Sequence, residues 1–380
     1  MKETGVSEGT MRRIAATTVL MGVTALAVLL ASSCKGENRP SVEVIGGDGV
    51  VSISGAPEGD NPAPPSGRRY AYSAEPTIDL GGPLDLRAMR SLINVAIDDR
   101  PVDWAKAIDV YAAGRNQKRA DGTLRSLASL ASDPAALAVY PNGTTVYGRA
   151  SFIDGIIRDG LNGTGRAQGL SDNARRAIVE GGVQMALAAQ ATQNLAATRA
   201  RIDAKGSKPQ TLVDSAWGFI AGPLDGEERT AGLLSAMFKL ETDLKLQKKL
   251  EQPLELAFID ASTAAEKGDA SAFAKPAGDA RAYLNAYFYL TALRAAKAAE
   301  SDTTEAARQV HLAEGWAAFQ AIRAGVTGAS STAAQSVEAA LSRSGAQAFP
   351  SSETQKVYAA LNDAAVVQAL GIPAAVQLKN

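Results

Sequence analysis

From Arg175 to Arg201 the chain runs without a proline and is dense in alanine, broken only by the pair Gly181-Gly182. Alanine has the strongest helix propensity and lets neighbouring backbones approach closely, so such a run commits this part of the chain to packed helices. The same texture extends over most of the sequence. Aromatic residues are only 5% of the chain, which leaves small aliphatic side chains to build the core.

The helices can be placed from their punctuation. Met89, Ile93, Ala96 and Ile97 recur at helical spacing in a segment that reads as helical from about Leu84. Pro101 and Asp103 open a helix that Gly114 closes. Thr230 to Leu250 carries Leu233, Met237, Leu240 and Leu244 on one face, Pro253 starts the next helix, and Gly268 ends it. Asp302-Thr-Thr-Glu305, before a helix running to about Ala324, and Ser352-Glu-Thr-Gln355 both match the capping-box pattern; Gly371 and Pro373 stop the last helix. No βαβ alternation is present, so the expected fold class is all-α, a multi-helix array. Trp217-Gly-Phe219 before Gly222 echoes Trp316-Ala-Ala-Phe319 before Gly325, which suggests two pseudo-repeated halves, 77–225 and 226–380.

The N-terminus reads differently. Arg12 and Arg13 precede an apolar run from Ile14 to Leu30, followed by Ala31-Ser-Ser-Cys34. These are the parts of an export signal, although the run is also long enough for an uncleaved anchor. Cys34 is the only cysteine, so no internal disulfide can use it. The pattern resembles the bacterial lipobox, with Ala31 where Leu is usual. It implies a signal peptide over 1–33, lipidation of Cys34 and a membrane anchor. Residues 34–76 then form a Gly/Pro-rich tether in which Val42-Glu-Val-Ile45 and Val50-Val-Ser-Ile53 flank Gly46-Gly-Asp-Gly49, as in a small hairpin. Lys35 lacks the Asp of an inner-membrane retention signal, which places the expected anchor at the outer membrane or cell surface.

Charge and motif content narrow the function classes. With 39 basic against 40 acidic residues and no basic stripe, nucleic acid is not an expected partner. One histidine, His311, and one cysteine leave no nucleophilic triad, and no enzyme is expected. Gly160-Leu-Asn-Gly163-Thr-Gly165-Arg-Ala-Gln-Gly169 lacks the Gly-Lys-Ser/Thr of a phosphate loop and reads as a helix-ending turn. Asn142-Gly-Thr144 and Asn162-Gly-Thr164 read as turns as well.

What remains is a set of hard oxygen donors, which suit a cation such as Fe³⁺. The candidate metal ligands are Asp154, Glu180, Asp214, Tyr283, Tyr287, His311 and Glu314. His311 and Glu314 are an i, i+3 pair of the kind that shares a metal in helical bundles, and Tyr283 and Tyr287 share a face at i, i+4. Each residue alone reads equally as a solvated charge or a packing side chain. The glycine pair beside Glu180 reads equally as a close helix contact.

The segments Asp103-Trp-Ala-Lys-Ala-Ile-Asp-Val-Tyr-Ala-Ala-Gly-Arg-Asn116, Asp214-Ser-Ala-Trp217-Gly-Phe-Ile-Ala-Gly222 and Ala313-Glu-Gly-Trp316-Ala-Ala-Phe319 resemble the Fe-assimilating proteins, the low-iron-inducible or high-CO₂-inducible periplasmic proteins of green algae and their bacterial relatives. The resemblance spans roughly Leu84 to Ala324. It implies an extracytoplasmic, helical, membrane-tethered iron-binding protein, and the reading built on it is capture of iron or another hard cation between helices and its passage to an envelope transporter or other partner. The family supplies no ligand motif, so the seven candidates rest on donor chemistry alone. An interaction scaffold of the cell envelope, presenting a helical surface to another protein, is the competing expectation.

Overall fold

Local capping chemistry sets some of the helix ends, and tertiary packing sets others. The computed structural model describes residues 69–94, 102–223 and 232–378, together with the backbone of Val42–Val44 and Val51–Ile53. The chain divides into two units, Met1–Pro62 and Ala63–Asn380. In the first, β1 (Val42–Val44) pairs antiparallel with β2 (Val51–Ile53), Val42 opposite Ile53, which is the hairpin expected around Gly46-Gly-Asp-Gly49. The export signal, Cys34 and the rest of the tether up to Arg68 lie outside the described residues, as do Ala96, Ile97 and Pro101.

The second unit is all-α. In chain order its helices are α1 (Thr77–Ile93), α2 (Trp104–Ala113), α3 (Leu127–Ala131), α4 (Pro134–Leu137), α5 (Gly143–Tyr147), α6 (Phe152–Asn162), α7 (Asp172–Asp203), α8 (Gln210–Ala221), α9 (Leu233–Leu244), α10 (Glu251–Glu266), α11 (Ala270–Ser301), α12 (Glu305–Ala329), α13 (Ser331–Leu341), α14 (Ser351–Leu361) and α15 (Ala364–Leu370). The alanine-rich run becomes α7. Like α11 it has 32 residues, about 48 Å at the rise of an α-helix.

These two helices and α12 form the centre. α7 packs on α6, α8 and α12, α11 packs on α10 and α12, and α8 and α10 close the ring between them. Along Gly182–Ala191 of α7, Ala286–Leu293 of α11 and Gly315–Ile322 of α12 every residue is buried, so each helix is covered on all sides. Two amide side chains of the α7 core find partners. Tyr287 donates to Gln184 Oε1 at 3.0 Å, and the Gln190 amide donates to Leu130 O at 3.1 Å. Among the described residues no helix is long and apolar enough to cross a membrane.

Several caps follow the sequence. Asp103 accepts from Lys106 N at the start of α2, Gly114 (φ 75°) ends it, and Gly268 and Gly371 take left-handed conformations after α10 and α15. Gly163, at φ 66°, ends α6, so the glycine-rich stretch is the expected turn.

Others differ. α1 starts at Thr77 and carries Pro83 inside it, where the sequence suggested a start near Leu84. Tertiary packing decides this: a Cβ on Gly81 would lie 2.6 Å from the Asn116 carbonyl, and one on Gly82 would lie 2.9 Å from Leu187 Cδ2, so the Gly-Gly-Pro stretch is pressed against its neighbours. α9 stops at Leu244 rather than Leu250, because Lys245 turns left-handed. The cap of α12 is Thr304, which accepts from Ala307 N, and not Asp302. α14 starts at Ser351 after Pro350, with no side-chain cap. Gly325 does not end α12, which runs on to Ala329. Its missing side chain makes room for Leu370 of α15, 2.7 Å from where a Cβ would sit.

Candidate functional site, a polar cleft between five helices

Charged side chains gather where α1, α7, α9, α11 and α12 leave a cleft of about 440 Å³. Four of the seven candidate ligands line it: Glu180 from α7, Tyr287 from α11, and His311 and Glu314 from α12. Close packing brings them together. A Cβ on Gly181 would lie 2.6 Å from that of Ala317, so the glycine lets α7 and α12 approach and sets Glu180 and Glu314 on the walls of one cleft. Its neighbour Gly182 faces the other way, with Ile157 of α6 at 2.6 Å from a Cβ there. The glycine pair is therefore a helix-packing device, and its contribution to the cleft is spacing.

Arginines interleave with the acids. Arg90 Nε lies 3.1 Å from Glu180 Oε2, and Arg176 Nε lies 3.7 Å from Glu180 Oε1. Arg294 reaches two acids, Glu314 through one terminal nitrogen and Asp243 at 3.4 Å through the other. His311 Nδ1 is 2.7 Å from Asp302 Oδ2, which anchors the ring at the α11–α12 turn. Lys239 is exposed on α9 at the same cleft. Tyr287 is buried, and burial with the nearby Glu314 charge pushes its hydroxyl pKa well up, so it sits in the cleft as a neutral phenol.

The other three candidates lie elsewhere. Asp154 on α6 accepts from Tyr111 OH at 2.7 Å and from Arg158 Nε at 2.9 Å, a local ion pair. Asp214 on α8 is fully buried; it accepts from Tyr70 OH at 2.7 Å, from Ser73 N at 3.3 Å, from Ala74 N at 3.2 Å and from the Ser73 hydroxyl. With Glu255, which accepts from Tyr70 N at 3.0 Å and pairs with Arg69 at 3.2 Å, it fastens the segment entering the helical unit. Tyr283 is one turn before Tyr287 but only partly buried, near Asp279 and Lys275. A helix that is covered on all sides sends residues four apart into different neighbours once those neighbours end.

Sequence reasoning missed Arg90, Arg176, Lys239, Asp243 and Arg294. Their signal was present as charge at helical spacing: Arg176 and Glu180, and Lys239 and Asp243, are i, i+4 pairs, and Tyr287, Thr291 and Arg294 follow one face. Among the described residues no group of three or more His, Cys, Asp and Glu side chains is arranged to hold a metal. The acids of the cleft are shared with guanidinium groups instead.

A second cavity, of about 390 Å³, opens between α11, α12 and α15. Its walls include Tyr140, Leu284, Phe288, Ile322 and Leu370, and among the described residues its one charged side chain is Arg281, so it offers a cation no anionic donor. Chemistry favours the polar cleft. Comparison of the chain with protein-family models, curated proteins and solved structures finds no match.

Proposed function

We propose that this chain is a lipid-tethered binding protein of the cell envelope that captures iron in the cleft between α1, α7, α9, α11 and α12. The observation that carries this reading is the gathering of Glu180, Tyr287, His311 and Glu314, drawn from three separate helices, on the walls of one cleft. Carboxylate and phenolate oxygens are hard donors that suit a ferric ion, and imidazole is a further ligand iron accepts. The resemblance to the Fe-assimilating proteins and the export-signal pattern point the same way. Iron is cargo here, and capture requires Glu180 and Glu314 to turn from their arginines toward the ion. The ion would also lower the phenol's pKa enough to recruit Tyr287 as phenolate.

The test is equilibrium dialysis of mature protein against radioactive ferric iron kept soluble by citrate. One iron per chain is expected, with at least a tenfold loss in the Glu180→Gln/Glu314→Gln double variant. Retention no greater than that of an unrelated acidic protein would remove the iron reading.

A further inference from the structure

The same cleft carries too much positive charge to take a bare trivalent ion. Its walls hold four cationic side chains, Arg90, Arg176, Lys239 and Arg294, against three carboxylates, Glu180, Asp243 and Glu314. With Tyr287 recruited as phenolate, a ferric ion would still leave three positive charges in excess in a partly buried site. Coordination makes this worse locally. When Glu180 turns to the ion, Arg90 and Arg176 lose the acid they both contact, and when Glu314 turns, Arg294 keeps only Asp243. Guanidinium groups stripped of their partners in a low-dielectric cleft are strongly unfavourable.

The arginines also hold unused hydrogen-bonding capacity. Arg90 Nε and Arg294 Nε are buried and lack a hydrogen-bond acceptor among the described residues, the Arg90 atom having only its ion contact with Glu180. Lys239 has no ion pair or hydrogen bond among the described residues. A planar guanidinium fork is matched to carboxylate oxygens, which it binds through two parallel hydrogen bonds.

Resting on the iron reading above, we propose that the cleft takes the ion together with a polycarboxylate anion, as one complex. The protein's acids and phenol approach the metal, and the arginines with Lys239 hold the anion's free carboxylates. The anion supplies the negative charge that Glu180 and Glu314 withdraw from the arginines. Selectivity follows from this arrangement: neither the metal alone nor the anion alone satisfies both sets of groups.

The experiment uses ferric citrate carrying ⁵⁵Fe and ¹⁴C, with mature protein separated by rapid gel filtration. Both labels are expected to stay with the protein in a fixed ratio, and ¹⁴C-citrate without iron is expected to pass through. Arg294→Gln should retain at least tenfold less of both labels. Lys239→Gln, which removes an exposed side chain that has no ion pair among the described residues, should retain about threefold less with an unchanged melting curve. Arg158→Gln, on α6 away from the cleft, serves as the control. Iron retained with its citrate stripped away would overturn the anion inference and leave the iron reading standing. Neither label retained would remove the iron reading itself. Citrate held equally well without iron would overturn both, leaving a plain anion site.

Discussion

Gly181 of α7 and Ala317 of α12 touch so closely that a Cβ built on the glycine would lie 2.6 Å from the alanine's Cβ. That contact sets the width of the cleft, because the preceding residue on α7, Glu180, and the Glu314 turn of α12 form its walls. Gly181→Ala must push two fully packed helices apart. We expect a loss of about 1–3 kcal/mol of stability, measured by urea unfolding, and a larger loss for Gly181→Leu. Unchanged stability in both variants would mean that α7 and α12 do not meet at this point.

Tyr70 and Asp214 fasten the entry of the helical unit to α8 through a buried hydrogen bond of 2.7 Å. Tyr70→Phe keeps the ring, with its contacts to Trp217 and Tyr72, and removes only the hydroxyl. A hydrogen bond to a carboxylate is worth about 1.5–3 kcal/mol, and that is the expected cost. A double-mutant cycle with Asp214→Asn should show strong coupling, and additive losses would rule out the direct bond.

Asp85 is fully buried among the backbone N–H groups of Arg115 and Asn116 and the amides of Asn116 and Gln117. Burial raises its pKa, and the hydrogen bonds only partly offset this. A carboxyl raised in the fold stabilises the protein fully below its ordinary value, and that contribution is lost as pH rises through the folded value. Wild-type stability should therefore decline over that acidic interval relative to Asp85→Asn, which has no proton to lose. Melting temperatures of both proteins from pH 3 upward read this directly. Parallel curves would show that Asp85 does not titrate differently in the fold.

Thr304, not Asp302, caps α12, accepting from Ala307 N at 3.2 Å. Thr304→Ala should cost about 1 kcal/mol. Ser352 is exposed inside the first turn of α14 and makes no cap there, so Ser352→Ala should stay within about 0.5 kcal/mol. Chemical denaturation of the two variants side by side decides the point, and equal losses would contradict the assignment.

Cys34 tests the tether. Cells expressing the full chain and fed an alkyne fatty acid should label the protein, and Cys34→Ser should abolish the label and release the protein from membranes. Label persisting in the variant would place the lipid elsewhere or make it adventitious.

The all-α class and several helix ends were legible in consecutive residues. Alanine-dense runs, Asp103 before α2, and the glycines that follow α2, α10 and α15 act within a turn of the chain, and such local chemistry is written in consecutive residues. Composition also determined the type of donor available, since one histidine and one cysteine leave oxygen ligands as the main resource. Which donors meet was set by how the helices pack. Glu180 and Glu314 share a cleft because a glycine lets two distant helices touch, while Asp214, equally plausible as a ligand in the sequence, turned inward to bind Tyr70. The arginines of the cleft were invisible for the same reason. A charged side chain reveals its helical face through spacing, but its partner on another helix follows from packing shape, which no local pattern encodes.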